Sequence, residues 1–344
     1  MQMTILITGV AGFIGANLAL RLLRDNPEVQ VIGLDCLNDY YDVRLKQHRL
    51  EQLSQYPNFR FVRGNLGDKK LLLDMFQTYR PKIAVNLAAQ AGVRYSIENP
   101  DAYLESNVVG FFHMLEACRR YPVEHLVYAS SSSVYGGSTR IPYSTEEKTD
   151  CPVSLYAATK KSDELLAYAY AKLYNIPTTG LRFFTVYGPA GRPDMAYFSF
   201  TEKLRAGETI EMFNFGSCLR DFTYIDDIVE GIVRVMHRPP ERRNGTDGLP
   251  IAPHTLYNIG SGNPQSLTDF VEILTQELIT AGVLPTDFNL EAHRKLVPMQ
   301  PGDVAVTYAD TAPLERDFGF RPMTPLREGL RSFARWYRAF YMEK

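Results

Sequence analysis

Short apolar runs alternate through the first half of the chain with longer stretches whose apolar positions recur every three or four residues. The runs at Met3–Thr8, Val29–Leu34, Phe59–Val62, Ile83–Leu87, His125–Ala129 and Thr178–Phe183 read as strands. Helical spacing places Ile14, Leu18 and Leu22 on one face and marks 69–79, 101–120 and 155–174 as helices. Apolar strands that alternate with amphipathic helices predict an α/β fold, a doubly wound parallel sheet covered on both faces. Ligands on such sheets sit beyond the C-terminal strand ends. The informative residues are then those that follow each strand: Gly9, Asp35, Asn65, Ala88, Ser130 and Phe184.

The alternation loosens near residue 185, where Gly, Pro and aromatic residues gather in Tyr187-Gly188-Pro189-Ala190-Gly191-Arg192-Pro193. The pattern predicts a first domain over 1–184 with a return segment near 224–256. A smaller C-terminal lobe takes 185–223 and 257–344. Tyr224–Met236, 266–281 and 326–341 read as helices, and 238–253 as a polar surface loop. With 344 residues, 45% hydrophobic and 22% charged, the chain has enough apolar material for a core. A net charge of −2 gives no footprint for nucleic acid or an anionic membrane. Four scattered cysteines without a paired motif predict free thiols in a reducing, cytoplasmic setting. No apolar run is long enough for a bilayer, no signal segment is read, and the histidines lack metal-ligand spacing, so no metal is expected.

The first strand runs into Thr8-Gly9-Val10-Ala11-Gly12-Phe13-Ile14-Gly15 and then into a helix. A glycine turn there lets backbone N–H groups approach a pyrophosphate at a helix N-terminus. Gly9 is expected to make the turn, Gly12 to admit the phosphate, and Gly15 to let helix and strand pack closely. The spacing is GxxGxxG rather than GxGxxG, but the strand, the helix and the acid Asp35 at the end of the second strand all support a dinucleotide. Asp35 suits a free ribose 2′-OH and repels a 2′-phosphate. Cys36-Leu37-Asn38 offers no cation, which favours NAD over NADP.

Tyr156-Ala157-Ala158-Thr159-Lys160 places a phenol and an ammonium at i and i+4 on one helical face. An ammonium beside a phenol favours the phenolate, a base able to remove a proton from a sugar hydroxyl as hydride leaves the same carbon. Upstream, Ser130-Ser131-Ser132-Ser133-Val134-Tyr135-Gly136 follows a strand and offers hydroxyls to complete a proton relay.

With these motifs in this order, the chain resembles the extended short-chain dehydrogenase/reductase family, nearly end to end. Asn86-Leu87-Ala88-Ala89 and Arg220-Asp221-Phe222-Thr223-Tyr224-Ile225-Asp226-Asp227 extend the match. Within the family it is most similar to nucleotide-sugar 4-epimerases, in particular those that act on UDP-glucuronate. That narrower likeness rests on Leu37 to Asp42, Ala89 to Ser96, Phe183 to Pro189 and Met299 to Val304. The resemblance implies a Rossmann-type sheet with a C-terminal substrate-binding lobe, and Ser131, Tyr156 and Lys160 as the catalytic set. It implies NAD contacts from Gly9, Gly12, Phe13, Ile14, Gly15, Asp35, Asn38, Asn65, Leu66, Ala88, Ala89 and Asn107, besides Tyr156 and Lys160. It also implies a homodimer through the helices at 101–120 and 155–174, and a supply of sugar nucleotide for surface polysaccharide.

For the UDP-sugar it implies Arg220 at the diphosphate, with Arg94, Ser131, Ser132, Thr185, Arg192 and Asp303 completing the substrate set. An Arg fork independently suits phosphate oxygens. Asn65 stands where many relatives have Asp, and Gln300 where galactose epimerases carry a second phosphate-binding Arg. Dehydratases in this family place Asp-Glu after the catalytic hydroxyl, and UDP-glucuronate decarboxylases a Glu. Here those places hold Ser132 and Ser133. Without a carboxylate to work at C5, epimerisation is expected, UDP-glucuronate to UDP-galacturonate through a 4-keto sugar. The alternatives are a 4-epimerase of UDP-glucose or a UDP-N-acetylhexosamine, and a UDP-glucuronate decarboxylase. A C4 ketone beside a C5 carboxylate is a β-keto acid prone to lose CO₂. The site must therefore hold the carboxylate, and Ser132, Thr185 and Arg192 are the expected clamp.

Overall fold

The structure is a computed structural model that describes residues 3–299 and 305–343. Its main sheet has seven strands. In chain order they begin β1 (Thr4–Thr8), β2 (Gln30–Asp35), β3 (Phe59–Arg63), β4 (Ile83–Asn86), β5 (His125–Ser131) and β6 (Thr178–Phe183). The seventh, His254–Ile259, joins at the β6 edge, so the order is His254–Ile259, β6, β5, β4, β1, β2, β3. The pairings from β6 across to β3 are all parallel. The expected six strands are all present, and the seventh is an addition. Strand order reverses between β1 and β4, and the crevice beyond those two strand ends is where this architecture receives ligands.

Continuous burial along β1, β4 and β6 is what a sheet covered on both faces requires. Helices α1 (Phe13–Asp25), α2 (Val43–Leu53) and α3 (Lys69–Tyr79) follow the first three strands. On one side a core of Leu6, Ile32, Leu72, Phe76, Phe111, Met114 and Leu126 fills the space under the helices. The expected helix at 101–120 is interrupted. A short α-turn at Pro100–Tyr103 passes into a π-helix, Leu104–Val109, and then into Gly110–Arg120. The helix Leu155–Tyr174 starts at Ser154, whose side chain accepts from the Ala157 N–H, and ends on Asn175 in a left-handed conformation.

The contacts divide the chain into two compact units. The first comprises Met1–Ser138, Thr145–Phe183 and Val229–Asn258; the second comprises Thr139–Ser144, Phe184–Ile228 and Ile259–Lys344. The second unit holds a three-stranded sheet of Gln265–Ser266, Leu219–Arg220 and Val306–Thr307, and a parallel pair of Thr185–Tyr187 with Phe222–Tyr224. Aromatic side chains make its core: Phe222 stacks on Phe270 at 4.2 Å, and Tyr197 meets Phe333 edge-on at 4.8 Å. The segment 238–253 is not wholly loop, since Arg243–Asn244 and Pro250–Ile251 pair antiparallel.

Candidate active site

The turn after β1 is built on glycine for steric reasons. Gly9 lies at φ +69°, and a Cβ there would stand 2.8 Å from the Ala88 nitrogen. The turn therefore touches the loop that leaves β4, at the point where strand order reverses. Thr8 Oγ1 donates to Asn86 Oδ1 at 2.7 Å and accepts from the Ala88 N–H at 3.2 Å, which ties the ends of β1 and β4 together. A Cβ on Gly15 would collide with the Gly9 carbonyl oxygen, so Gly15 lets α1 nest on the turn itself. Gly12 caps α1 with no side-chain bond, which leaves first-turn amides for an anion. Phe13 is buried and Ile14 half-buried, so these two offer mainly backbone.

Asp35 is buried at the end of β2. Its Oδ2 accepts from the Ala11 N–H at 3.1 Å and its Oδ1 from the Leu37 N–H at 2.9 Å. The carboxylate is thus fixed between the glycine turn and the next loop, with lone pairs left for ribose hydroxyls. Two buried cations on α2 escaped the reading of the sequence around Cys36-Leu37-Asn38. Lys46 Nζ donates to Asn38 O at 2.9 Å and to Asn38 Oδ1 at 2.5 Å. Arg49 Nη1 donates to Ala11 O and to the Tyr41 hydroxyl. The only sequence signal was two charges at i and i+3 on a helix whose other inward residues are Leu45 and Leu53. Both cations are bonded to the protein, holding the loop and the turn. The set of glycine turn, uncapped helix start and buried acid fits a dinucleotide.

Asn65 follows β3; its Nδ2 donates to Glu105 Oε1 at 3.1 Å and its Oδ1 accepts from the Gly67 N–H at 2.9 Å. Leu66 sends its side chain into the core, and Ala88 and Ala89 line the loop after β4 half-buried. Asn107, on the π-helix, turns inward. Its Nδ2 donates to Gln90 O and Thr159 Oγ1, each at 3.0 Å, and its Oδ1 accepts from the Gln90 N–H at 2.8 Å. Both its N–H donors are taken, so Asn107 joins the β4 loop to the helix that carries Lys160. A π-turn at such a place is a common mark of a functional site.

The helix Leu155–Tyr174 brings Lys160 to the C-terminal end of β5, with Tyr156 one turn earlier on the same helix. Lys160 is buried, and its Nζ donates to Ala129 O at 2.9 Å and to Asp163 Oδ2 at 3.3 Å. Tyr156 is half-buried, its ring edge-on to Tyr103 at 6.0 Å. Neighbouring serines on β5 point to opposite faces. Ser130 Oγ donates to Glu164 Oε1 at 2.7 Å, inside the core, whereas Ser131 caps the 3₁₀ turn Ser132–Tyr135 by accepting from the Ser133 N–H at 3.1 Å. Ser131 is therefore the hydroxyl left at the strand end. The turn after it carries Ser132 and Ser133 and no acid.

Arg94 is exposed at the start of the short helix Tyr95–Glu98. In the second unit, Thr185 opens the strand paired with Phe222–Tyr224. Arg192 pairs with Asp194, Nε to Oδ1 at 3.0 Å, so a carboxylate already meets its charge. Arg220 Nη1 donates to the carbonyls of Leu219 and Ala305 at 3.1 and 3.2 Å. The adjacent Asp221 is occupied elsewhere: its two oxygens accept from Ser261, Gly262, Thr223 and Ala309. Asp303 and Gln300 lie outside the described residues. Among the described residues no cluster of His, Cys, Asp or Glu could hold a metal ion, and no helix is long and apolar enough to cross a membrane.

Residues 5–260 match the model of the NAD dependent epimerase/dehydratase family. Protein CapI of Staphylococcus aureus is 48% identical over 98% of this chain and 99% of its own. A probable UDP-glucuronate 4-epimerase of Rhizobium meliloti is 43% identical over 98% of both. Among solved structures, the UDP-glucuronic acid 4-epimerase of Bacillus cereus, in complex with UDP-glucuronic acid and NAD, superposes with a TM-score of 0.84. It is 29% identical and covers 98% of this chain and 100% of that one.

Proposed function

Because the chain belongs to the NAD dependent epimerase/dehydratase family, we propose that it is an NAD-dependent 4-epimerase that interconverts UDP-glucuronate and UDP-galacturonate. One observation carries the reading. Lys160 is buried at the end of β5 with Tyr156 one turn before it on the same helix, and the turn that follows β5 carries Ser132 and Ser133 with no carboxylate to act at C5. The likeness to enzymes named for UDP-glucuronate supports the choice of sugar.

NAD, when bound, supplies the hydride acceptor and donor at C4. Gly9, Gly12, Gly15 and the start of α1 would hold its pyrophosphate, and Asp35 its adenosine ribose. Tyr156 takes the proton of the C4 hydroxyl, and Ser131 bridges the phenol to the reacting oxygen. Lys160, one turn along the same helix, would supply positive charge to the reacting phenol and a hydrogen bond to the nicotinamide ribose. The first unit is assigned to NAD and the second to the UDP-sugar, with Arg220 on the diphosphate. Arg192 is held by Asp194, so the hydroxyls of Ser132 and Thr185 are the stronger candidates to restrain the C5 carboxylate. We further infer a homodimer that works in the cytoplasm, in keeping with four free thiols, and supplies sugar nucleotide for polysaccharide.

Proton NMR of the purified protein with UDP-glucuronic acid and no added cofactor tests this. A new anomeric signal of UDP-galacturonic acid that rises to a constant ratio is the expected outcome. A pentose product would make the enzyme a decarboxylase. Turnover of UDP-glucose alone would keep the mechanism and overturn the acid-sugar assignment.

A further inference from the structure

Asp163 is a buried charge that the proposed cycle leaves unused. It lies at i+3 from Lys160 on the helix Leu155–Tyr174, and its Oδ2 accepts from Lys160 Nζ at 3.3 Å. The two side chains are 2% and 3% exposed. Asp163 Oδ1 has no hydrogen-bond partner, and neither has the Tyr128 hydroxyl on β5, which burial pushes well above its ordinary range, with the Glu164 and Asp163 carboxylates adding to the effect. A carboxyl removed from water with one oxygen unmet carries a desolvation cost that its ion pair must offset, and without that carboxyl the Lys160 ammonium would be buried with no counter-charge. The other groups facing it are already engaged. Glu164, on the same helix, accepts two bonds from Arg182 of β6 at 2.8 and 2.9 Å and one from Ser130 of β5, and Lys161 lies 3.6 Å from it. Burial holds His254, on the last sheet strand, well below its ordinary range, at about 4, and therefore neutral.

We propose that Asp163 is a positioning residue for the reaction: it holds the Lys160 ammonium against Ala129 O and tunes how strongly that ammonium favours the Tyr156 phenolate. The inference rests on the reading of Tyr156 and Lys160 as the catalytic pair. Burial lifts the Asp163 carboxyl to about 7, against the opposing pull of Lys160. Near neutral pH the acid therefore changes charge. Below that point the Lys160 ammonium has a neutral acid 3.3 Å away; above it, a carboxylate that offsets its charge.

The test is the pH dependence of kcat for the NAD-containing enzyme and for D163N, which keeps shape and an acceptor but cannot ionise. The ratio of wild-type to D163N kcat should fall about threefold or more as pH rises through neutrality, the change expected from half a unit of differential ionisation. A ratio constant at every pH would show a structural role only and overturn the inference. If D163N does not fold, D163E serves instead: a displaced neutral-pH limb supports the proposal and an unchanged profile overturns it. Y156F and K160M are measured alongside. Should both keep turnover, the catalytic assignment itself fails; should both lose it while D163N runs parallel to wild type, only the role of Asp163 fails.

Discussion

Tyr156→Phe removes one hydroxyl and leaves the ring that packs on Tyr103. Bound NAD and UDP-sugar affinity should persist while kcat falls by roughly 10²–10⁴, the range for loss of a general base. Absorbance of the retained cofactor, titration calorimetry and initial rates check the three parts, and near-normal turnover would place the base elsewhere. His125 carries a different residue-scale consequence. Its Nδ1 lies 3.0 Å from Met236 O, which can only accept, so Nδ1 carries the proton and Nε2 accepts from Thr179 Oγ1 at 2.8 Å. Burial lowers its pKa from the ordinary 6.5 to about 4. The unfolded chain therefore binds this proton first, and stability falls as pH drops from about 6.5 toward 4. Between pH 7 and 5 the loss from this one group should be about 2 kcal/mol. Urea unfolding of wild type and H125Q at both pH values checks it: the variant should lose less on acidification, and equal losses would refute the assignment. The strand-end places of Gly9 and Asp35 and the shared helix of Tyr156 and Lys160 were legible in the sequence, because the glycine and the acid close apolar strands and the phenol and the ammonium sit one helical turn apart. Asp163, Lys46 and Arg49 were not, because a charge on a helix is ordinarily solvated and nothing local marks these as buried.

At the scale of elements, the helix Leu155–Tyr174 is fastened to the sheet by one buried ion pair. Arg182 of β6 donates two bonds to Glu164 of the helix and lies 4.8 Å from the Tyr135 ring, while Ser130 of β5 shares the same carboxylate. Burial alone would raise the Glu164 carboxyl, but the bonds from Arg182 and Ser130 outweigh it and hold it below its ordinary value. E164Q leaves the guanidinium buried without its counter-charge and should cost about 3–5 kcal/mol in denaturant unfolding. An E164L/R182M double variant should recover much of that loss. If E164Q were as stable as wild type, the pair would not be what fastens the helix. The elements themselves were largely readable: 69–79, 155–174 and 326–341 form helices at the expected bounds, and six strands fall within two residues of their expected ends. The misses have physical causes. Helix α2 turns Lys46 and Arg49 inward, which breaks the apolar period that would have revealed it. The π-helix Leu104–Val109 widens a turn without any change of composition. The strand His254–Ile259 has a mixed sequence, and its inclusion depends on pairing at the edge of the sheet.

For the whole molecule, the first unit leaves large apolar side chains in water on the same helix that bears Tyr156 and Lys160. Leu165, Tyr168 and Leu173 are 61%, 51% and 70% exposed, and Leu104 and Val109 on the π-helix are also exposed. A lone exposed leucine needs no explanation, but apolar residues gathered on neighbouring helices mark a surface that another surface covers. A second copy is the simplest cover, because a two-fold interface sets each residue near its own symmetry mate and a single sequence supplies both sides. That same symmetry makes the surface easy to test. L165E with L173E would bring like charges together from both chains at once, a repulsion paid twice over in a desolvated contact. In sedimentation velocity the wild-type chain should run as a dimer and the double variant as a monomer, with NAD still bound, since the proposed cofactor residues all lie in one chain. Turnover decides what the dimer is for. If the monomer keeps its kcat, association serves stability alone. If kcat falls while NAD is retained, the partner steadies the helix on which Tyr156 and Lys160 stand. A wild-type chain that sediments as a monomer would remove the dimer from the proposal and leave the exposed leucines to a different partner.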